Sequence, residues 1–472
     1  MYIKEGILGT KDSFEDVVLN AKTFNEKYNA FSLIMDKYEY EKKDSLINGI
    51  CYGLKDNFST KGILTTACCN LLKDYVPVYD STVYTKLKNS GGVLAFKTTM
   101  DELAMGGSGV TGNTGIVRNP WNKDYLIGGS SSGSAACVAG GIVPFAIGSD
   151  TGDSIRKPAS FAGIVGFKPT YGRISRYGLF AFASSLDHAG VLTRSVADAA
   201  IVTDILKGYD PKDMTSIKKD DDSYYNSLNK SIKGKKLFYI KEYLDKTGVN
   251  DKNILKNIDI FYDTVDKIRS LGIEVTEVSI SKKLLDCVYP CYFSISCAEA
   301  TSNNSNLTGI LFGDRKEGDS ATDIMINTRS DGFSKLIKRR FILGSYILQK
   351  ENQERLFKNA LRIRRLIVSE FNSLFDIYDG YILPTSASIA PKAYEGDCFD
   401  KIKNDYCLLD NHAAIANFGG FPSISIPYGM IDNMPVGLCL TCSAYNDELC
   451  LNIANNIESI LGFKNICAGG DK

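Results

Sequence analysis

The chain has 472 residues, of which 44% are hydrophobic and 23% charged, a balance that permits a substantial core and excludes disordered and fibrous classes. Lysine plus arginine equals aspartate plus glutamate at 55 each, so the basic footprint of a direct nucleic-acid binder is missing. No apolar run approaches the roughly 18 residues of a bilayer helix, and thirteen scattered cysteines lack metal-type pairing, which reads as reduced thiols in a cytoplasmic core.

The opening "MYIKEGILGTKDSFEDVV" has neither the basic cluster nor the apolar stretch of a leader. Residues 11 to 45 place Phe14, Val17, Val18 and Ala21 at helical spacing before the charged patch "DKYEYEKKD", predicting a surface helix that runs into a solvated loop. "INGICYGLKDNF" reads as a buried strand with Lys55 directly after its apolar run. In "DSTVYTKLKNSGGVLAFKTTM" a helix is stopped by Gly91 and Gly92 and followed by a strand at 93–97.

The polar segment 207–236 reads as a linker or an exposed excursion. "KLFYIKEYL", a helix from about 253 to 271, and "IEVTEVSI" make a crossover unit. One long helix, about 340 to 375, precedes the strand "DGYILPTS". "PSISIPYGM" and "MPVGLCLTC" flank "IDN" as a hairpin, and "DELCLNIANNIESILG" closes the chain as an amphipathic helix. Alternating strand and helix signals predict an α/β sheet with helices on its faces.

Three glycine-rich stretches compete for an active site. The first, "GGSGVTGNTG", holds a literal G-x-G-x-x-G in Gly107, Gly109 and Gly112, but "NTGIVRNPW" rather than a helix follows, which favours a connecting loop over a dinucleotide site. The second, "GGSSSGSAACVAGG", suits a helix packed closely against neighbouring backbone. It also contains G-x-S-x-G centred on Ser131, the elbow of α/β-hydrolases, whose mechanism needs a histidine, and the chain has two, His188 and His412.

The third stretch is "GSDTGDSIRKP". If its Ser154 attacks a carbonyl, the amides of Thr151, Gly152, Asp153 and Ser154 lie where the tetrahedral oxygen would develop. With histidine scarce, a lysine held neutral by burial is the natural base. Lys55 paired with Asp56 as a structural salt bridge is the competing reading.

"GLKDNF", "GGSSSGSAA" and "GSDTGDSIRKPA" resemble, in order, the three blocks of the amidase signature family. "MDELAMGGS", "NPW", "GFKPTYGRISRYGLFAFASSLD" and "RRFILGSYIL" narrow the resemblance to that family's glutamyl-tRNA(Gln) amidotransferase A subunits, from about residue 25 to 462. The resemblance implies the amidase signature fold over residues 1–472 as a single domain, a mixed β-sheet with helices on both faces. It further implies a Ser-Ser-Lys triad: Ser154 as nucleophile, Ser130 as the bridging serine at a cis bond from Gly129, and Lys55 as base. The oxyanion hole would be formed at Thr151, Gly152 and Asp153.

By the same resemblance the substrate is glutamine. Arg340 would clamp its carboxylate, Asp410 would meet its ammonium, and Tyr292 would line the pocket. No cofactor or metal is implied for this chain and no membrane. ATP and magnesium would be used by the complex through a partner, the partners being B and C subunits and the misacylated Glu-tRNA(Gln). A stand-alone amidase for small amides and a non-catalytic scaffold are the alternatives.

The sequence departs from the family pattern in three places. Asp153 stands where glycine is usual, so its carboxylate must point away or pair with Arg156 or Lys157. His188 and Val191 replace the usual glutamine and proline, and the N-terminus is shorter by most of a helix.

Overall fold

Ser13 caps the first helix, Phe14–Tyr28, by accepting the Asp16 amide at 3.1 Å, and the expected apolar stripe, with Phe24 added, is buried. The computed structural model describes residues 13–219, 223–393 and 408–468. The helix ends earlier than its periodicity predicts. Asn29 adopts a left-handed φ of 54°, and Phe31–Ile34 turns back as strand β1.

The next strands are β2, Cys51–Lys55, and β3, Val93–Thr98, separated by the helix Thr82–Asn89, which Gly91 helps to end at φ 77°. A small ribbon of β4, Arg118–Asn119, and β5, Asn122–Leu126, stands apart from the main sheet. Then come β6, Phe145–Asp150, β7, Val165–Lys168, and β8, His188–Thr193. The expected crossover unit is present as β9, Lys236–Ile240, the helix Lys252–Ser270, and β10, Glu274–Val278, parallel to β9. β11, Gly380–Pro384, precedes the hairpin of β12, Ser423–Ile431, and β13, Met434–Cys442. Asp432 and Asn433 turn that hairpin with φ of 51° and 61°, as a two-residue loop between right-twisted strands requires.

These strands form one 11-stranded mixed sheet in the order β1-β3-β2-β6-β8-β7-β12-β13-β11-β9-β10. Alternate residues feed opposite faces. Tyr52, Leu54, Leu94, Phe145 and Ile147 join the larger core. Cys51, Val93, Ala95 and Ala146 join a smaller one with the helices Phe14–Tyr28 and Ser132–Ala139. β2 and β6 are parallel neighbours, so Lys55 and Asp150, their last residues, emerge at the same edge. That edge, at the carboxyl ends of parallel strands, is where open α/β sheets place ligands.

Two expectations need correction. The segment predicted as one helix from 340 to 375 is broken: Lys335–Leu348 stops at Gln349, whose ψ of 144° is extended, and Asn359–Phe375 starts after a short turn and a π-helical turn. Asn352 Nδ2 donates to the Tyr346 carbonyl at 3.0 Å, satisfying the broken end. The polar segment 207–236 is not simply exposed. Tyr224, Leu228 and Ile232 are buried, and Asp210 accepts the hydroxyls of Thr82 and Ser175 at 2.5 and 2.6 Å. Its residues 220–222, like the opening dozen residues of the chain, lie outside the described residues.

A helix that the sequence signals do not reveal, Val288–Asn303, packs on Lys335–Leu348 so closely that a Cβ on Gly344 would lie 2.1 Å from the Cys297 carbonyl oxygen. Among the described residues no helix is long and apolar enough to cross a membrane, and no group of three or more His, Cys, Asp or Glu residues could hold a metal ion.

Candidate active site

Lys55 ends β2 fully buried, and its ammonium nitrogen reaches only hydroxyls and one carbonyl. Nζ is hydrogen-bonded to Ser130 Oγ at 2.7 Å, Ser131 Oγ at 2.9 Å, Ser149 Oγ at 2.9 Å and the Ser149 carbonyl at 3.2 Å. Burial brings its pKa down to about 7, against the opposing fields of Asp101, Asp150 and Asp187. A hydroxyl can accept from an ammonium or donate to a neutral amine, so this shell suits a lysine that changes protonation state.

The competing salt bridge is not formed. Asp56 instead binds the Thr66 hydroxyl at 2.6 Å and the Thr66 amide at 3.1 Å, and lies 3.8 Å from Lys97. Lys97 is a second buried lysine, anchored to the Phe58 carbonyl at 2.7 Å and to Thr60 and Thr65, in a structural role.

Ser130 precedes the buried helix Ser132–Ala139, and the Gly129–Ser130 peptide bond is cis. Its loop is held from behind by Asp101, which lies in "MDELAMGGS" but was given no role there. Asp101 accepts the amides of Ser108, Gly109, Val110 and Thr111 at 3.0–3.2 Å, together with the Thr111 hydroxyl at 2.8 Å. Its own amide donates to the Ser130 carbonyl at 3.3 Å. The G-x-G-x-x-G stretch is therefore a loop wrapped around an internal carboxylate, as its lack of a following helix predicted.

Ser154 is 4% exposed and follows β6 in the loop 151–155. The Ser131 amide donates to the Ser154 carbonyl at 3.2 Å, which ties the two serine loops together. The Ser154 hydroxyl itself makes no hydrogen bond to Ser130 or to any other described residue. The loop is braced at both ends. Arg156 and Asp150, both fully buried, form a two-point pair with Nη2–Oδ1 of 3.0 Å and Nε–Oδ2 of 3.1 Å. Arg156 also donates to the carbonyls of Gly152 and Ala413, both at 2.8 Å, and to Asn417 Oδ1 at 2.7 Å.

Thr151 Oγ1 donates to Asp187 at 2.7 Å, and Asp187 is held further by the amides of Phe182 and Ala183. The amides of Thr151, Gly152, Asp153 and Ser154 meet no acceptor among the described residues, the pattern of a ready anion pocket. The Asp153 carboxylate turns to Lys157, Oδ2 to Nζ 2.8 Å, rather than to Arg156.

The three residues expected to meet a substrate are placed as follows. The ring of Tyr292 lies over Gly152 so closely that a Cβ there would be 2.8 Å from its carbons. Burial raises the Tyr292 pKa, while Arg340 opposes and Asp153 adds to the shift, so Tyr292 lies in the field of both. The Arg340 guanidinium is stacked on Phe293 and Phe182 at 5.0 and 5.6 Å and has no carboxylate partner among the described residues. Asp410 accepts the Ala387 amide at 3.0 Å and acts electrostatically on Lys157.

The histidines stand apart from this chemistry. His188 Nδ1 lies 2.6 Å from the Leu186 carbonyl and His412 Nε2 2.8 Å from that of Pro384. Burial lowers both, His412 to about 3, and neither is hydrogen-bonded to a serine. The Ser131 elbow thus has no imidazole base. Ser131, Ser149 and Asn57, which donates to Ser149 Oγ at 3.1 Å, were absent from the predicted site although each lies inside a quoted motif.

The chain is similar over nearly its whole length to proteins of known identity. The glutamyl-tRNA(Gln) amidotransferase A-type polypeptide from Clostridium botulinum (strain Eklund 17B / Type B) is 39% identical over 454 residues, 93% of this chain and 91% of that one. Its counterpart from Lactobacillus acidophilus is 37% identical over 97% of this chain and 94% of its own. The crystal structure of the Thermotoga maritima counterpart superimposes with a TM-score of 0.81 at 33% identity, covering 98% of this chain and 95% of that one. With the Amidase profile matching residues 18–451 as well, the chain belongs to the amidase signature family.

Proposed function

We propose that this chain is the glutamine-hydrolysing subunit of a glutamyl-tRNA(Gln) amidotransferase. The observation that carries the reading is Lys55, buried, within 2.7 Å of Ser130 and brought near neutrality at ordinary pH by its burial. In this reading the Ser154 hydroxyl turns to Ser130 when substrate binds, and Ser154 Oγ attacks the side-chain amide carbon of glutamine while its proton passes to Ser130, whose own proton passes to Lys55. The amides of Thr151, Gly152 and Asp153 stabilise the oxyanion that forms. The relay then returns a proton to the departing nitrogen, ammonia leaves, and water attacks the acyl-serine to release glutamate and restore the hydroxyl.

Glutamine carries one α-carboxylate and one α-ammonium. The guanidinium of Arg340, which has no carboxylate partner among the described residues, fits the first and Asp410 the second, with Tyr292 as a wall between them and the nucleophile loop. The ammonia is handed to a B subunit that uses ATP and magnesium to convert Glu-tRNA(Gln) to Gln-tRNA(Gln), with a C subunit completing a cytoplasmic complex. The even charge balance of this chain supports leaving the tRNA to a partner.

The test is a bypass experiment on the native complex. Lys55→Ala abolishes glutamine-dependent transamidation while transamidation from added ammonium salt continues. Retained glutamine hydrolysis in that variant would remove the relay.

A further inference from the structure

Asp153 brings a carboxylate next to the nucleophile, where the family pattern has none, and one turn further on Lys157 binds it at 2.8 Å. The two side chains are 23% and 18% exposed, so the pair is partly open to solvent rather than sealed in the core. Lys157 stands in the field of two carboxylates, Asp153 and Asp410, with Tyr289 also near. Asp410 has one oxygen on the Ala387 amide, and its other oxygen meets no donor among the described residues.

We infer that Asp153 and Lys157 form a specificity-determining pair for the amide donor, in which Asp153 holds the Lys157 ammonium off Asp410 and so leaves Asp410 free to receive the donor's α-ammonium. The inference rests on the glutamine reading above. A lysine ammonium is a mobile point charge on a four-carbon stem, and with Asp153 neutral the carboxylate whose field it still feels is that of Asp410. There it competes with the substrate's ammonium. A donor that keeps the carboxylate and the amide but lacks the ammonium suffers no such competition, so the effect is on choice of substrate rather than on the chemical step.

The experiment compares glutamine with glutaramate, its desamino counterpart, in the chain assembled with its native partner subunits. Asp153→Asn, which keeps the shape and removes the charge, lowers the kcat/KM ratio of glutamine over glutaramate about tenfold, through the KM of glutamine. Adding Lys157→Met to that variant restores the ratio. A loss shared equally by both substrates, or no recovery in the double variant, overturns the inference. Should Asp153→Asn not fold, Lys157→Met alone decides: the ratio holds or rises if Lys157 is the competitor, and a fall overturns the inference. If the unaltered complex does not prefer glutamine over glutaramate, it is the glutamine reading that fails, whatever the variants do.

Discussion

Lys55 Nζ sits 2.7 Å from Ser130 Oγ, and neither side chain exposes any surface. Among the described residues no carboxylate reaches the nitrogen within hydrogen-bonding distance; its partners are three hydroxyls and a carbonyl. A buried ammonium without a contacting anion gives up its proton easily, and this sets the pH behaviour of the site.

In the proposed relay the neutral amine of Lys55 is the base, and burial brings its pKa down to about 7. Glutamine kcat/KM is therefore expected to rise with pH up to that value and to fall below it by about tenfold per pH unit. Lys55→Arg, which cannot give up its proton, leaves no activity at any pH. A pH profile of the free complex checks both, and a flat profile between pH 5 and 8 would contradict the assignment.

Asp101 gathers four amides and a hydroxyl and is the largest of the fields opposing deprotonation of Lys55. Replacing it by Ala strands buried donors at about 1–3 kcal/mol each, so a marked drop in melting temperature is expected. Asp101→Asn keeps the volume but removes the charge. Its residual activity should show an acid limb displaced below that of the unaltered enzyme, since the charged form of Lys55 loses support.

Arg340 is a stacked guanidinium with no acid partner among the described residues. Arg340→Met is expected to raise the KM of glutamine by roughly 100-fold with a smaller effect on kcat, the signature of a lost charge-assisted pair. Arg340→Lys should recover little, because an ammonium cannot reproduce the planar fork. Steady-state kinetics with glutamine separates the two parameters. A KM unchanged in both variants would assign Arg340 to structure alone.

Gly152 has the ring of Tyr292 where its side chain would be, with contacts of 2.8 Å to an added Cβ. Gly152→Ala must move either the ring or the nucleophile loop, and the loop is braced by Arg156 through the Gly152 carbonyl. A fall in kcat of about 10- to 100-fold is expected, since oxyanion donors work only when correctly placed. Adding Tyr292→Ala gives the new methyl room and should return part of the lost kcat; a further loss in the double variant would rule out the steric explanation.

Much of the site was legible because its backbone signals are local. "GLKDNF", "GGSSSGSAA" and "GSDTGDSIRKPA" each place one candidate group at the end of a strand or at the entry to a helix, and the structure brings Lys55, Ser130 and the Ser154 loop to one edge of the sheet. The hairpin around Asp432 and Asn433 was readable for the same reason. The helix Val288–Asn303 was not, because its buried positions are largely Cys, Ser and Ala, which carry little periodic signal. The break at Gln349 was missed because no Gly or Pro marks it.

What the sequence determined by itself was the order and identity of the motifs, the strand and helix signals around them, and the presence of a charge beside Ser154. Only the tertiary structure decided that Asp153 pairs with Lys157 rather than Arg156, that Asp101 braces the serine loop, and that Ser131 and Ser149 surround Lys55. The division has a physical cause. Backbone preferences act over a few residues, whereas a proton affinity depends on desolvation and on partners drawn from far along the chain, as Ser130 is from Lys55 across 75 positions.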